Sequence, residues 1–211
     1  VRADFEIPRR LKLTVPDPTW HPATIKERVQ QLPFKARRRW VWWKLPAPSI
    51  REAVFADLIE EEPEGVEWHT PEETRRLLGL MSEVNRAKVA KAQAAGGRIV
   101  GGVYKRTRNG EQRAEVRFDD VAGCLRTPVG GSSRQTILIV EGSRIRSRLL
   151  SPREAARLMG LPESYALPER YNEAYHISGD GLAVPVVRHL AKHILEPMAN
   201  VKRHDDKRKA A

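Results

Sequence analysis

The sequence predicts an α+β chain in which short helices lead into β-hairpins and the hairpins lead into further helices. Three observations predict it. Helix-start signatures stand at Thr70-Pro71-Glu72-Glu73 and Ser151-Pro152-Arg153-Glu154. Asn109-Gly110 and Glu141-Gly142-Ser143 each separate two strand-like runs. Val186, Val187, Leu190, Ala191, Ile194, Leu195 and Met198 then repeat at helical spacing near the end.

Composition bounds the function. The 211 residues suffice for one ordinary domain or two small ones, and a 40% hydrophobic content excludes a wholly disordered chain. Lys and Arg total 38 against 27 Asp and Glu, a net +11. That balance favours a polyanionic partner, because basic groups release counterions from phosphate. The single cysteine, Cys124, excludes a disulfide framework and fits a reducing cytoplasm. No apolar run approaches the roughly 20 residues of a membrane helix. The first residue is Val1 rather than Met, which raises the expectation of a fragment, a processed product or one half of a split protein.

The first 69 residues are rich in Pro and Trp, which predicts loops with short helices, one of them over 23–32 and stopped before Pro33. Arg37-Arg38-Arg39-Trp40-Val41-Trp42-Trp43-Lys44 has two readings: a basic aromatic surface that stacks nucleobases, or a strand whose tryptophans anchor a small core. The strand is the expectation. Thr70 caps a helix carrying Leu77, Leu78 and Leu80, and Ser82 starts a second that ends at Gly96-Gly97. From Arg98 the pattern turns to strands: Ile99, Val100, Val103 and Tyr104, then 114–118 after the Asn-Gly turn, then 137–140 facing Ile145 and Leu149. A Gly/Ser loop with basic flanks, 124–134, lies between the hairpins.

Charge concentrates in this middle region. Residues 98–148 hold eleven Lys or Arg against five Asp or Glu. Lys105, Arg106 and Arg108 fall at a hairpin tip, where Arg can fork to guanine and Lys can neutralise phosphate. A merely solvated hairpin is the alternative. His189 and His193 share a helix face, but no Glu lies between them and no third metal ligand is evident, so no metal is expected.

Arg148-Leu149-Leu150-Ser151-Pro152-Arg153-Glu154-Ala155-Ala156-Arg157-Leu158-Met159-Gly160-Leu161-Pro162 resembles the penultimate conserved motif of bacterial DNA (cytosine-5)-methyltransferases, R-L-S/T/H-P-R-E-x-A-R-x-M-G-F/Y-P. Tyr175 and the following His176-Ile177-Ser178-Gly179-Asp180-Gly181-Leu182-Ala183-Val184-Pro185-Val186 look like the family's final motif, with Asp180 where Asn is usual. Gly123-Cys124-Leu125-Arg126-Thr127 with Gly130-Gly131 is similar to the segment and glycine loop that end the target-recognition domain.

The resemblance implies a division of roles. Residues 1–147 form a small mixed target-recognition domain. Residues 148–198 supply C-terminal helices that complete an α/β S-adenosylmethionine-dependent methyltransferase domain, and 199–211 are a disordered basic tail. The cofactor-binding candidates are Gly179, Asp180 and Gly181. The DNA-binding candidates are Lys105, Arg106, Arg108, Arg113, Arg126, Thr127 and Arg134. The family's glycine-rich loop, the nucleophile in P-C-Q and the Glu of E-N-V do not occur in this sequence, and Cys124 lies in G-C-L. No catalytic residue is therefore assigned here. The expected partners are double-stranded DNA and an N-terminal catalytic half sharing the S-adenosylmethionine; the setting is cytoplasmic, in a bacterial restriction-modification system or a phage. A stand-alone DNA-binding module or regulator derived from such an enzyme is the alternative.

Overall fold

The computed structural model describes residues 7–50, 52–108, 110–127 and 134–200, with the Arg108 side chain excepted. Asn109, the loop glycines Gly130 and Gly131 and tail residues 201–211 lie outside the described residues. Two compact units emerge, one of Val1–Ile50 with Val186–Ala211 and one of Arg51–Pro185. They are units of packing, whereas the expected boundary after residue 147 divides roles.

In the first unit, proline sets where helices begin. Pro22 and Pro33 are the N-caps of α1 (Ala23–Gln30) and α2 (Phe34–Arg39). β1 (Lys12–Leu13) pairs antiparallel with β2 (Trp42–Trp43). The strand expected from Arg37 onwards is thus confined to two tryptophans, and Arg37, Arg38 and Arg39 are helical. Ala, Lys and Arg propagate a helix well once Pro33 has started it, and the chain turns extended only at Trp40. Trp42 and Trp43 are half-buried, while Trp40 remains 43% exposed. Trp20 donates from Nε1 to the Leu45 carbonyl at 2.9 Å, and His21 packs edge-on against Trp42.

The second unit is built on a four-stranded antiparallel sheet. Its strands are β3 (Arg98–Arg108), β4 (Glu111–Arg117), β5 (Thr136–Glu141) and β6 (Arg144–Leu149), in the order β4-β3-β5-β6. Both expected hairpins form, with Arg108 opposite Glu111 and Glu141 opposite Arg144. Gly142 supplies the positive φ, 58°, that the second turn needs.

Helices cover both faces of this sheet. Before it in the chain come α3 (Pro71–Gly79) and α4 (Glu83–Ala95); after it come α5 (Pro152–Leu158) and α6 (Tyr171–Asp180). Leu77, Met81, Val89 and Ala92 pack on Val103, Ala114, Val116, Leu138 and Val140. Phe55, Ile59, Leu150, Ala155 and Tyr175 pack on Val100, Ile137 and Ile139. The centre of β5, residues 137–140, is an unbroken apolar run because it is buried on both sides.

Local caps and one buried ion pair fix the layers. Thr70 and Ser151 each accept the backbone N–H of a Glu three residues on, and that Glu reaches back, as the sequence predicts. Glu154 does more than cap. It accepts two bonds from the fully buried Arg148 guanidinium, at 2.7 and 2.8 Å, and the backbone N–H groups of Ser151 and Glu60. Arg148 also donates to the Glu60 carbonyl and lies over the Trp68 ring. Burial alone would raise the Glu154 pKa, but Arg148 and the two N–H donors hold it below the ordinary carboxylate range.

The last helix, α7 (Val184–Leu190), continues through a π-helical turn, Ala191–Leu195. Its expected apolar stripe is open to solvent: Val186, Val187, Leu190 and Leu195 are 39–60% exposed.

Candidate nucleic-acid interface

Sheet pairing in the second unit gathers cations that are far apart in sequence. A cleft of about 770 Å³ is lined by Lys88 of α4, Lys105 and Arg106 of β3, Arg117 of β4, and Arg126 and Arg134, with Glu115 as its lining carboxylate. Among the described residues six cations against one acid line this concavity, and low-dielectric walls focus their positive field. At the cleft's edge the register sets Arg106 opposite Arg113, which lies outside the lining. Each of these arginines has a carboxylate of β4 beside it, Glu115 for Arg106 and Glu111 for Arg113, which offsets the like-charge pairing.

The lining is held by specific contacts. Asn85, buried under β4, accepts the Val116 N–H and orients Lys88, whose Nζ donates to Asn85 Oδ1 at 3.0 Å and to the Val116 carbonyl. Arg117 grips Asp119 with both ends of its fork. Arg106 and Glu115 approach only to 3.8 Å, both half-exposed, a contact worth little in water. Tyr104 lies on Gly123 so closely that an added Cβ would overlap its ring. Its hydroxyl is buried, accepts and donates nothing among the described residues, and is pushed up in pKa by burial.

The expected DNA-contacting residues divide. Lys105, Arg106, Arg126 and Arg134 line the cleft. Within it Arg134 is engaged, donating to Asn172 Oδ1 and lying 5.1 Å from the Tyr171 ring centroid, so it anchors α6. Arg113 lies outside the lining and pairs with Glu111 at 3.2 Å. Thr127 is half-buried against Gly179, and the Arg108 side chain lies outside the described residues. Lys88, Tyr104 and Arg117 escape sequence reasoning, because only the folded sheet brings them beside Lys105.

The cofactor candidates also separate. Gly179 faces the backbone of Arg126 and Thr127, where a Cβ would come within 2.8 Å of the Thr127 nitrogen. It is a packing glycine that joins α6 to the cleft wall. Asp180 and Gly181 are exposed at the end of α6. A Cβ on Gly181 would meet the Ile177 carbonyl at 2.6 Å, so glycine there serves the helix end itself. An exposed carboxylate beside a bare backbone turn fits the amino and hydroxyl donors of S-adenosylmethionine. The His189 and His193 rings are tilted against each other with centroids 4.7 Å apart, and no group of three metal-ligating side chains occurs among the described residues. None of the helices described is long and apolar enough to cross a membrane.

Comparison with known proteins agrees with the motifs. The C-5 cytosine-specific DNA methylase family matches residues 37–196. The chain is 34% identical over 171 residues to the type II methyltransferase M.HpaII of Haemophilus parainfluenzae, covering 74% of this chain and 42% of that protein. It is 35% identical over 66 residues to M1.ScrFI of Lactococcus lactis subsp. cremoris, 31% of this chain and 17% of that one. A third relative, M.DsaV of Dactylococcopsis salina, is 38% identical over 58 residues, 28% of this chain and 16% of its own length. The chain thus spans less than half the length of these curated relatives. No solved structure matches it significantly. With a family match across most of its length and both end motifs in order, the chain belongs to the C-5 cytosine-specific DNA methylase family.

Proposed function

We propose that this chain is the DNA-recognition half or subunit of a DNA (cytosine-5)-methyltransferase, working with a catalytic half that carries P-C-Q and E-N-V. The basic cleft carries this reading. It is joined through Gly179 to the helix that bears the final motif, so DNA contact and cofactor contact share one core. In this role Lys105, Arg106, Arg117 and Arg126 hold duplex phosphates and base edges, while Arg113 and Thr127 flank them and Arg108 extends the hairpin. Arg134 acts by fixing α6. S-adenosylmethionine supplies the methyl group, and Asp180 with the Gly181 backbone borders its site on this side.

The exposed stripe of α7 favours a catalytic half as partner over a stand-alone DNA-binding module, because a run of solvent-facing Val and Leu is costly unless covered. The setting proposed is cytoplasmic, with duplex DNA and that half as partners.

The test is duplex binding by fluorescence anisotropy across a salt series. Lys105→Ala and Arg106→Ala should each reduce the slope of log affinity against log salt by roughly one. Unchanged slopes in both variants would remove the cleft as the DNA face.

A further inference from the structure

Proline shapes the end of the first unit as it shapes its beginning. Pro197 lies within helical chain, where it has no N–H for the His193 carbonyl four residues back and its ring crowds that carbonyl. The helix passes this point as the π-helical turn Ala191–Leu195, closed by the Glu196 N–H on the Ala191 carbonyl. Such turns are rare and often stand at functional sites. This one holds Lys192 and His193.

At the other end of the chain, the pairing of β1 with β2 is continued by the Lys44 N–H, which donates to the Leu11 carbonyl at 2.9 Å. Arg10 and Lys44 therefore share one end of the strand pair. Arg10, Lys44, Lys192 and His193, all of the first unit, line one cavity of about 470 Å³. Leu11, Leu45 and Pro197 give it apolar walls. No carboxylate lines it: Asp17, Glu27 and Glu196, the three described in this unit, are all outside the lining. Arg10, Lys44 and Lys192 are exposed, and none of them makes an ion pair among the described residues.

The His193 imidazole is half-buried and packs against His189, whose ring lies 5.8 Å from that of Trp20. His189 Nε2 is buried with no hydrogen-bond partner among the described residues, so ring packing rather than hydrogen bonding fixes the pair. An imidazole so held can donate to an anionic oxygen.

These features select a ligand. Four basic groups without an acid favour a multiply charged anion, and a guanidinium fork beside ammonium groups suits phosphate. The apolar walls, and a volume within the roughly 300–1,000 Å³ of small-molecule sites, favour a phosphate that carries a body of its own. Inorganic phosphate leaves those walls unused. A duplex backbone does too, because its bases are stacked inside the helix.

We infer that this cavity binds a phosphate monoester with a planar or apolar body, the chemistry of a mononucleotide. It is built on none of the residues that line the basic cleft, so it stands apart from the DNA-recognition reading.

Calorimetric titration of the full chain with adenosine monophosphate tests the inference. Binding is expected with a Kd below about 1 mM, and Lys44→Ala/Lys192→Ala should weaken it by about tenfold or more. Both side chains are exposed, so this variant should keep the wild-type unfolding midpoint, and Lys44→Arg/Lys192→Arg should retain most of the affinity. Inorganic phosphate should bind more weakly than the nucleotide by about tenfold, and duplex DNA should not displace the nucleotide. Absence of nucleotide binding, or unchanged affinity in the alanine variant, would overturn the inference. Equal affinity for inorganic phosphate would reduce the cavity to an adventitious ion site only, and displacement by duplex would make it a backbone contact; either overturns it. So would affinity lost in Lys105→Ala/Arg106→Ala but kept in Lys44→Ala/Lys192→Ala, which would move the nucleotide to the cleft.

Discussion

Three side chains concentrate what can be learned at single positions. Arg148 and Glu154 are each fully buried and satisfy one another with two bonds, so removing either partner leaves an uncompensated charge in the core. Arg148→Ala should cost about 3–5 kcal/mol in urea unfolding. The same pair sets an acid limit. Because the folded-state pKa of Glu154 is depressed, its contribution is complete above the ordinary carboxylate range and is lost as pH falls through the folded value. Glu154→Gln should lower stability near neutrality and flatten that acid slope, measured by unfolding at a series of pH values. Tyr104 is the opposite case, a buried hydroxyl with no hydrogen-bond partner among the described residues. Tyr104→Phe should leave stability unchanged or slightly raised, within about 1 kcal/mol. If the hydroxyl donates to DNA, the same change should weaken duplex binding several-fold; unaltered affinity would make Tyr104 a packing residue only.

Elements differ in how far the sequence discloses them. The helices starting at Thr70 and Ser151 were legible because capping is a matter of four adjacent residues. The hairpins were legible for the same reason, through Asn-Gly and Glu-Gly-Ser. Of the strand expected from Arg37 only Trp42-Trp43 forms, because Pro33, several residues earlier, commits Arg37, Arg38 and Arg39 to α2. The cleft was half legible: Lys105, Arg106, Arg126 and Arg134 belong to one basic stretch, but Lys88 joins them only through Asn85 under β4. That Arg134 is spent on Asn172 and Tyr171 is a tertiary fact no local pattern encodes. The two capping boxes allow a comparison. Thr70→Ala should cost about 1 kcal/mol, while Ser151→Ala should cost more, since its box includes the buried Glu154. Equal losses in thermal unfolding would mean that Glu154 holds its place without Ser151.

At the scale of the whole molecule, the proposed role requires complementarity between this chain and a catalytic half. The sequence contains the last two family motifs and a basic cleft, and lacks P-C-Q and E-N-V. Its match to M.HpaII covers 42% of that protein's length, and Val186, Val187, Leu190 and Leu195 of the last helix are exposed to solvent. Neither half should act alone, because cytosine C6 must be attacked by a cysteine positioned on DNA that another surface holds. The most direct measurement is transfer of a radiolabelled methyl group from S-adenosylmethionine to duplex DNA, with the chain alone and mixed with a family catalytic half carrying those motifs. No incorporation is expected from the chain alone, and incorporation at cytosine C5 is expected on mixing. Methyl transfer by the chain alone, or none on mixing with a half that it demonstrably binds, would contradict the proposed role.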